Sequence, residues 1–201
     1  FPLNLHDIPK LTNNIDNKPM KCLHIITPVK DSIDSTLETV KAIMESDILV
    51  PFTYTVYNDF STEENTHRLE EAARQWNFRL VNLSDLTDHP SPNYLLVLQT
   101  AQKEAIEADA GLLIVESDVI VKKNTLQSLY NGALQQKQCG IAAAVTTDEK
   151  GVINYPYLHA KGHENQVYPE KKHCSFCCSL LTPGLLKAFD FQTLDPSKNW
   201  Y

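Results

Sequence analysis

The sequence predicts an α/β fold: a mostly parallel sheet with helices on both faces, followed by a smaller, partly antiparallel half. Three observations carry this expectation. Short apolar runs alternate with helix-period segments as far as about residue 145. The alternation then gives way to turns and a polar loop. Carboxylates also stand where several of the apolar runs end, most visibly in GLLIVESDVIV, where Glu116 and Asp118 interrupt an otherwise apolar stretch. Strands disfavour such residues, and burying an unpaired one is costly, so either the strand ends there or the acids have a partner.

Each element follows from local pattern. CLHIITPV, residues 22–29, is an apolar run closed by a proline and reads as the first strand. STLETVKAIMES follows as a helix, with Ser35 and Glu38 at capping-box spacing and Leu37, Val40 and Met44 on one face. FTYTVYND is the second strand. STEENTHRLEEAARQW is the second helix, with Ser61 and Glu64 as its box and Leu69, Ala72, Ala73 and Trp76 as its stripe. FRLVNL makes a third strand, residues 93–107 a third helix and GLLIV a fourth strand. Leu126, Leu129, Tyr130, Ala133 and Leu134 mark a fourth helix, and GIAAAV a fifth strand. Strands separated by helices of this length make parallel crossovers.

From Thr146 the pattern loosens. DEKG reads as a hairpin turn into VINYPYL, residues 160–173 as a polar loop, SFCCSLL as a buried strand and PGLLKAF as a short helix begun by Thr182-Pro183. The expected organisation is a single domain over 1–201, with an N-terminal arm at 1–21, a first half over 22–145 and a second over 146–201. The five cysteines are odd in number and lack the spacing of a disulfide framework, so they are expected to be free thiols. Cys174 and Cys177 have metal-ligand spacing near His159, His163 and His173, but no second pair completes a zinc site, and the stretch is expected to be a strand without zinc.

Composition narrows the function. A chain of 201 residues that is 42% hydrophobic can bury a substantial core, and a net charge of −7 gives no steering toward nucleic acid or an anionic membrane. No apolar run is long enough to span a bilayer, and the first twenty residues lack the pattern of a signal peptide, so the expected location is the cytoplasm.

In open α/β sheets ligands bind at the carboxyl ends of the strands. The first strand leaves through Thr27, Pro28, Val29, Lys30 and Asp31, the second through Asn58 and Asp59, and the fourth through Glu116, Ser117 and Asp118. Each acid alone has an ordinary explanation, as a turn residue, a helix cap or a solvated side chain. Their joint placement points to one site. The six glycines form no GxGxxG turn and no Walker A loop. Acids in place of a glycine-rich phosphate cradle point to a divalent cation, Mn²⁺ or Mg²⁺, which is typically held by one or two carboxylates together with phosphate oxygens.

From residue 22 to 191 the chain resembles the family 2 type of nucleotide-sugar glycosyltransferases with the GT-A fold. The stretches that carry the likeness, in order, are IITPVKD, YTVYNDFSTEENT, LLIVESDVIVKKNTLQSL, GIAAAVTTDEKGVI and SFCCSLLTPGLLKAFDF. The resemblance implies a nucleotide site formed by Thr27, Pro28, Asp31, Asn58, Asp59, Glu116 and Ser117, with Thr27 and Pro28 in the base pocket and Asp59 accepting from the base. It places Glu116 and Asp118 at the DxD metal motif, Asp118 on the metal and Glu116 on the metal or the ribose. It further implies a nucleoside-diphosphate sugar as donor, a UDP-sugar first, a glycan or other hydroxyl as acceptor, and inversion at the anomeric carbon.

Two departures stand out. Glu116 occupies a position where the family usually has Asp. Inverting members also take their general base from an acidic pair beyond the place matching FDF, whereas after Cys178 this chain has only Asp190 and Asp195. Together with the aromatic end at Trp200-Tyr201, this gives the expectation of a native chain that continues and carries the base. The alternatives are a GT-A-like domain that binds nucleotide or glycan without transferring, and a sugar nucleotidyltransferase. The latter is disfavoured because TPVKDSID replaces the glycine-rich basic loop it would need.

Overall fold

The structure, a computed structural model, describes residues 20–155, 157–163, 166–170 and 174–195. All but the last two residues of the expected N-terminal arm, His173 and the terminal Trp200-Tyr201 lie outside the described residues. The elements run β1 (Leu23–Val29), α1 (Ile33–Met44), β2 (Phe52–Asn58), α2 (Glu63–Trp76), β3 (Arg79–Asn82), α3 (Tyr94–Glu107), β4 (Gly111–Val115), α4 (Thr125–Gln135), β5 (Ile141–Ala143), β6 (Cys178–Leu181) and α5 (Pro183–Ala188). The sheet order is β3-β2-β1-β4-β6-β5. β1 pairs in parallel with β2 and β4, and β2 with β3, while β6 lies antiparallel between β4 and β5. The expected mostly parallel α/β sheet is therefore present, with one reversed strand in it.

Alternation along the strands divides the core in two. Ile25, Val29, Val56, Leu113, Val115 and Leu180 pack with Val40 and Ile43 of α1, Leu69 of α2 and Leu126 of α4. Ile26, Tyr57, Leu112, Ile114 and Leu181 pack on the other face with Val97, Leu98 and Ala101 of α3 and Leu185 and Leu186 of α5. Both faces are thus covered, which is why β4 can be apolar at every position. Gly111 opens that strand because a Cβ there would stand 2.6 Å from Met20 Sδ and 2.9 Å from Leu180 Cδ1.

The helix starts differ from the sequence reading. α1 begins after Ser32, a turn earlier than the expected box; Ser35 lies inside the helix and donates to Ser32 O at 3.1 Å. The cause is Asp31, whose positive φ of 56° turns the chain before Ser35 is reached. α2 is capped by Thr62, which accepts from Asn65 N, and not by Ser61 with Glu64. Ser61 Oγ instead accepts from Asp31 N at 2.9 Å. In the second half, the DEKG turn forms, with Asp148 Oδ1 accepting from Lys150 N and Val152 N and Gly151 at φ 80°. Among the described residues it closes a single bridge, Thr147 to Ile153, and Asn154 and Tyr155 do not extend it as a strand. The SFCCSLL strand is likewise shorter than expected. Only Cys178–Leu181 pairs, and the preceding turn is held by Ser175 O, which accepts from Ser179 Oγ and Tyr157 OH. All five cysteines are free.

One buried glutamine fixes the second half to the first. Gln102 of α3 donates through Nε2 to Leu186 O at 2.9 Å and to Phe189 O, and its Oε1 accepts from Phe191 N at 2.9 Å.

A titratable group is also buried in β1. His24 Nδ1 lies 2.8 Å from Thr53 Oγ1, and Nε2 lies 3.2 Å from Glu104 Oε2 without hydrogen-bond geometry. Burial pushes the imidazole below its ordinary value; Glu104 opposes the shift and Arg79 adds to it. The unfolded chain therefore takes up a proton that the folded chain resists, and stability should fall as pH drops below about 6.5. Urea midpoints measured down a pH series should show this fall in the native chain and a flatter response in His24→Asn. Parallel curves would rule out His24 as the source.

Candidate functional site

Because β1, β2 and β4 are parallel, their carboxyl ends open on one edge of the sheet. α3 runs back from the end of β3 to the start of β4, so its first turn stands at that edge as well. The edge is tied together by backbone: Asp59 N donates to Val29 O at 2.8 Å, and Glu116 N to Cys177 O at 2.9 Å.

The residues singled out from sequence divide into three groups. Thr27 and Asn58 face inward. Thr27 is fully buried and its hydroxyl accepts from Tyr54 OH at 2.9 Å. Asn58 is buried and spends both amide hydrogens, on Thr66 Oγ1 and Asn82 Oδ1, each at 2.9 Å, while its Oδ1 accepts from Ser61 N. Both side chains are engaged by these hydrogen bonds in the packing beneath the edge. Asp31 is exposed but occupied. Its Oδ1 accepts from Thr62 N at 2.7 Å and from Asn65 Nδ2 at 3.2 Å, which caps α2 from a neighbouring loop. The Thr62 N–H, followed by Asn65, holds its carboxyl below the usual range.

Pro28, Asp59, Glu116, Ser117 and Asp118 remain at the edge. Pro28 and Ser117 are half-buried and Asp118 is exposed. Asp59, only 8% exposed, organises the loop before α3. Its Oδ2 accepts from Ser91 Oγ at 2.7 Å and Asn93 N at 2.8 Å, and its Oδ1 from Asn93 Nδ2 at 2.8 Å. A carboxylate offers about four acceptor positions, so one is left on Oδ1. Glu116 is half-buried and its Oε1 accepts from Tyr94 OH at 3.1 Å. Burial raises its carboxyl above the ordinary value, the nearby charge of Asp118 adds to the rise, and the Tyr94 hydrogen bond works against it.

Ser91, Asn93 and Tyr94 were not legible as site residues. The stretch SPNY marks a helix start, and only the topology brings that start to the same edge as the acids.

The donor set suits a hard divalent cation bound jointly with a ligand. Glu116 and Asp118 are two residues apart at the end of β4, and Asp118 makes no hydrogen bond or ion pair to another described residue. Among the described residues no group of three His, Cys, Asp or Glu side chains is placed to hold a metal. Two carboxylates would leave most coordination positions to phosphate oxygens and water, the usual arrangement for Mg²⁺. Among the described residues no helix is long and apolar enough to cross a membrane.

No protein-family model matches the chain, and no curated protein matches it. Solved structures do. S. aureus TarS 1-349 in complex with UDP aligns with a TM-score of 0.51 at 20% identity, over 68% of this chain and 39% of that one. The same protein in complex with UDP-GlcNAc gives 0.50 at 20%, over 68% and 38%. Glucosyl-3-phosphoglycerate synthase from Mycobacterium tuberculosis, in complex with Mn²⁺, UDP and glucosyl-3-phosphoglycerate, gives 0.50 at 14%, over 81% and 57%. The chain thus spans less than two thirds of the length of each of these structures. At such identities the likeness is one of fold, and the fold is the GT-A architecture.

Proposed function

We propose that this chain forms the donor-binding part of a glycosyltransferase that moves a sugar from a nucleoside diphosphate, a UDP-sugar first, to an acceptor hydroxyl with inversion. The observation that carries the reading is the pair Glu116 and Asp118 leaving β4 at the edge where Asp59 leaves β2, on a GT-A sheet. TarS in complex with UDP-GlcNAc, and the synthase with UDP and Mn²⁺, support it as relatives in fold. The remaining acceptor position on Asp59 would take an N–H of the base, beside Pro28. Asp118 and Glu116 would hold Mn²⁺ or Mg²⁺, which supplies positive charge to the diphosphate. The acceptor oxygen forms its bond to the anomeric carbon as the bond to the diphosphate oxygen breaks, and the electron pair leaves with the nucleoside diphosphate. The acceptor proton must pass to a base. Asp190 is a weak candidate, since its carboxylate accepts from Gln192 N and caps the turn at Phe191–Thr193.

A thermal-shift panel of UDP, GDP, CDP and dTDP, each with Mn²⁺ or EDTA, tests the reading. UDP with Mn²⁺ should stabilise the chain most, by about 2 to 3 kcal/mol near a hundred times its dissociation constant. Equal shifts in EDTA would remove the metal from the proposal, and no shift with any nucleotide would remove the donor site. Product analysis with an acceptor then separates transfer from binding alone.

A further inference from the structure

Building on the donor-site reading, we propose that Tyr94 is a positioning residue for Glu116, and that the first turn of α3 brackets the metal-side acid to the nucleoside-side acid. The bracket is continuous. Asp59 at the end of β2 accepts from Ser91 Oγ, Asn93 N and Asn93 Nδ2, and Asn93 Nδ2 also donates to His89 O at 3.0 Å. The next residue, Tyr94, donates its hydroxyl to Glu116 Oε1 at 3.1 Å. Two acids on different strands are therefore spaced by one backbone turn.

The arrangement accounts for glutamate at 116. Its side chain has one more rotatable bond than aspartate, and a free carboxylate on it would sample several rotamers at the strand end. Fixing Oε1 from the Tyr94 side leaves Oε2 as the oxygen available to a cation. Hydrogen bonds that orient a ligating carboxylate are commonly worth 10- to 100-fold in metal affinity.

The test uses titration calorimetry on the 201-residue chain, with UDP in Mn²⁺, UDP in EDTA, and uridine. In Tyr94→Phe the gain in UDP affinity from Mn²⁺ should shrink about tenfold, while uridine affinity stays within about twofold of the native value. Because Tyr94 acts through Glu116, adding Tyr94→Phe to Glu116→Gln should lower the gain little further. A full Mn²⁺ gain in Tyr94→Phe, or additive losses in the double variant, overturns the positioning role. Tyr94→Leu, read the same way, serves if the phenylalanine variant does not fold. If the native chain binds UDP with no gain from Mn²⁺, the metal-site reading fails and this role falls with it. If the native gain is present but insensitive to Tyr94, only the positioning role falls.

Discussion

Asp118→Asn is expected to abolish the Mn²⁺-dependent part of UDP affinity and to slow sugar transfer by about 10² to 10³, the usual scale for losing one electrostatic stabiliser of a leaving group. The reasoning starts from exposure. Asp118 faces solvent and makes no hydrogen bond or ion pair to another described residue, so removing its charge takes nothing from the fold. Its stability should stay within about 0.5 kcal/mol of the native chain, as for surface substitutions generally. Uridine, which carries no phosphate, should bind Asp118→Asn and the native chain alike. The decisive comparison is UDP affinity in Mn²⁺ against EDTA for the two proteins. An unchanged Mn²⁺ gain in Asp118→Asn would show that the cation is held elsewhere.

Gln102→Leu should give the largest loss of stability, about 3 to 5 kcal/mol, without any change in the residues of the site edge. Three backbone groups depend on this one side chain: the carbonyls of Leu186 and Phe189 and the N–H of Phe191. Leucine fills similar volume but returns none of the three bonds, and each buried polar group left unpaired costs about 1 to 3 kcal/mol. Urea unfolding would read the loss directly. A cost below about 1 kcal/mol would mean that water or a shifted backbone replaces the glutamine.

The strand and helix alternation was readable because it is local: period 2 against period 3.6, punctuated by proline and hydroxyl residues. The acids at the ends of β2 and β4 were readable for the same reason. The caps were misread where hydroxyls recur at close spacing, as at Ser32 and Ser35 and at Ser61 and Thr62; Asp31, distant in sequence from α2, decides between them. The internal partners of Thr27 and Asn58 were not readable either, because Tyr54, Thr66 and Asn82 are brought to them by the sheet and by α2. Tyr94 was hidden by the same logic. Its partner Glu116 lies a whole crossover away, and no pattern within SPNY announces it.

The reversed strand β6 also bears on the order in which the molecule can assemble. β4 acquires β1 on one side as soon as the chain reaches Val115, but its other edge, Leu112 to Val115, waits for Leu181 to Cys178. Closing so long a loop adds only a modest entropic cost, since that cost grows slowly with length. The exposure in the meantime matters more. An uncovered apolar strand edge is a template for pairing with another chain, and non-local pairing is slow to form. The strand that delivers Glu116 and Asp118 thus keeps one edge open until β6 has been made, and a ribosome-bound chain halted before Cys178 would carry that aggregation-prone edge beside its candidate metal acids.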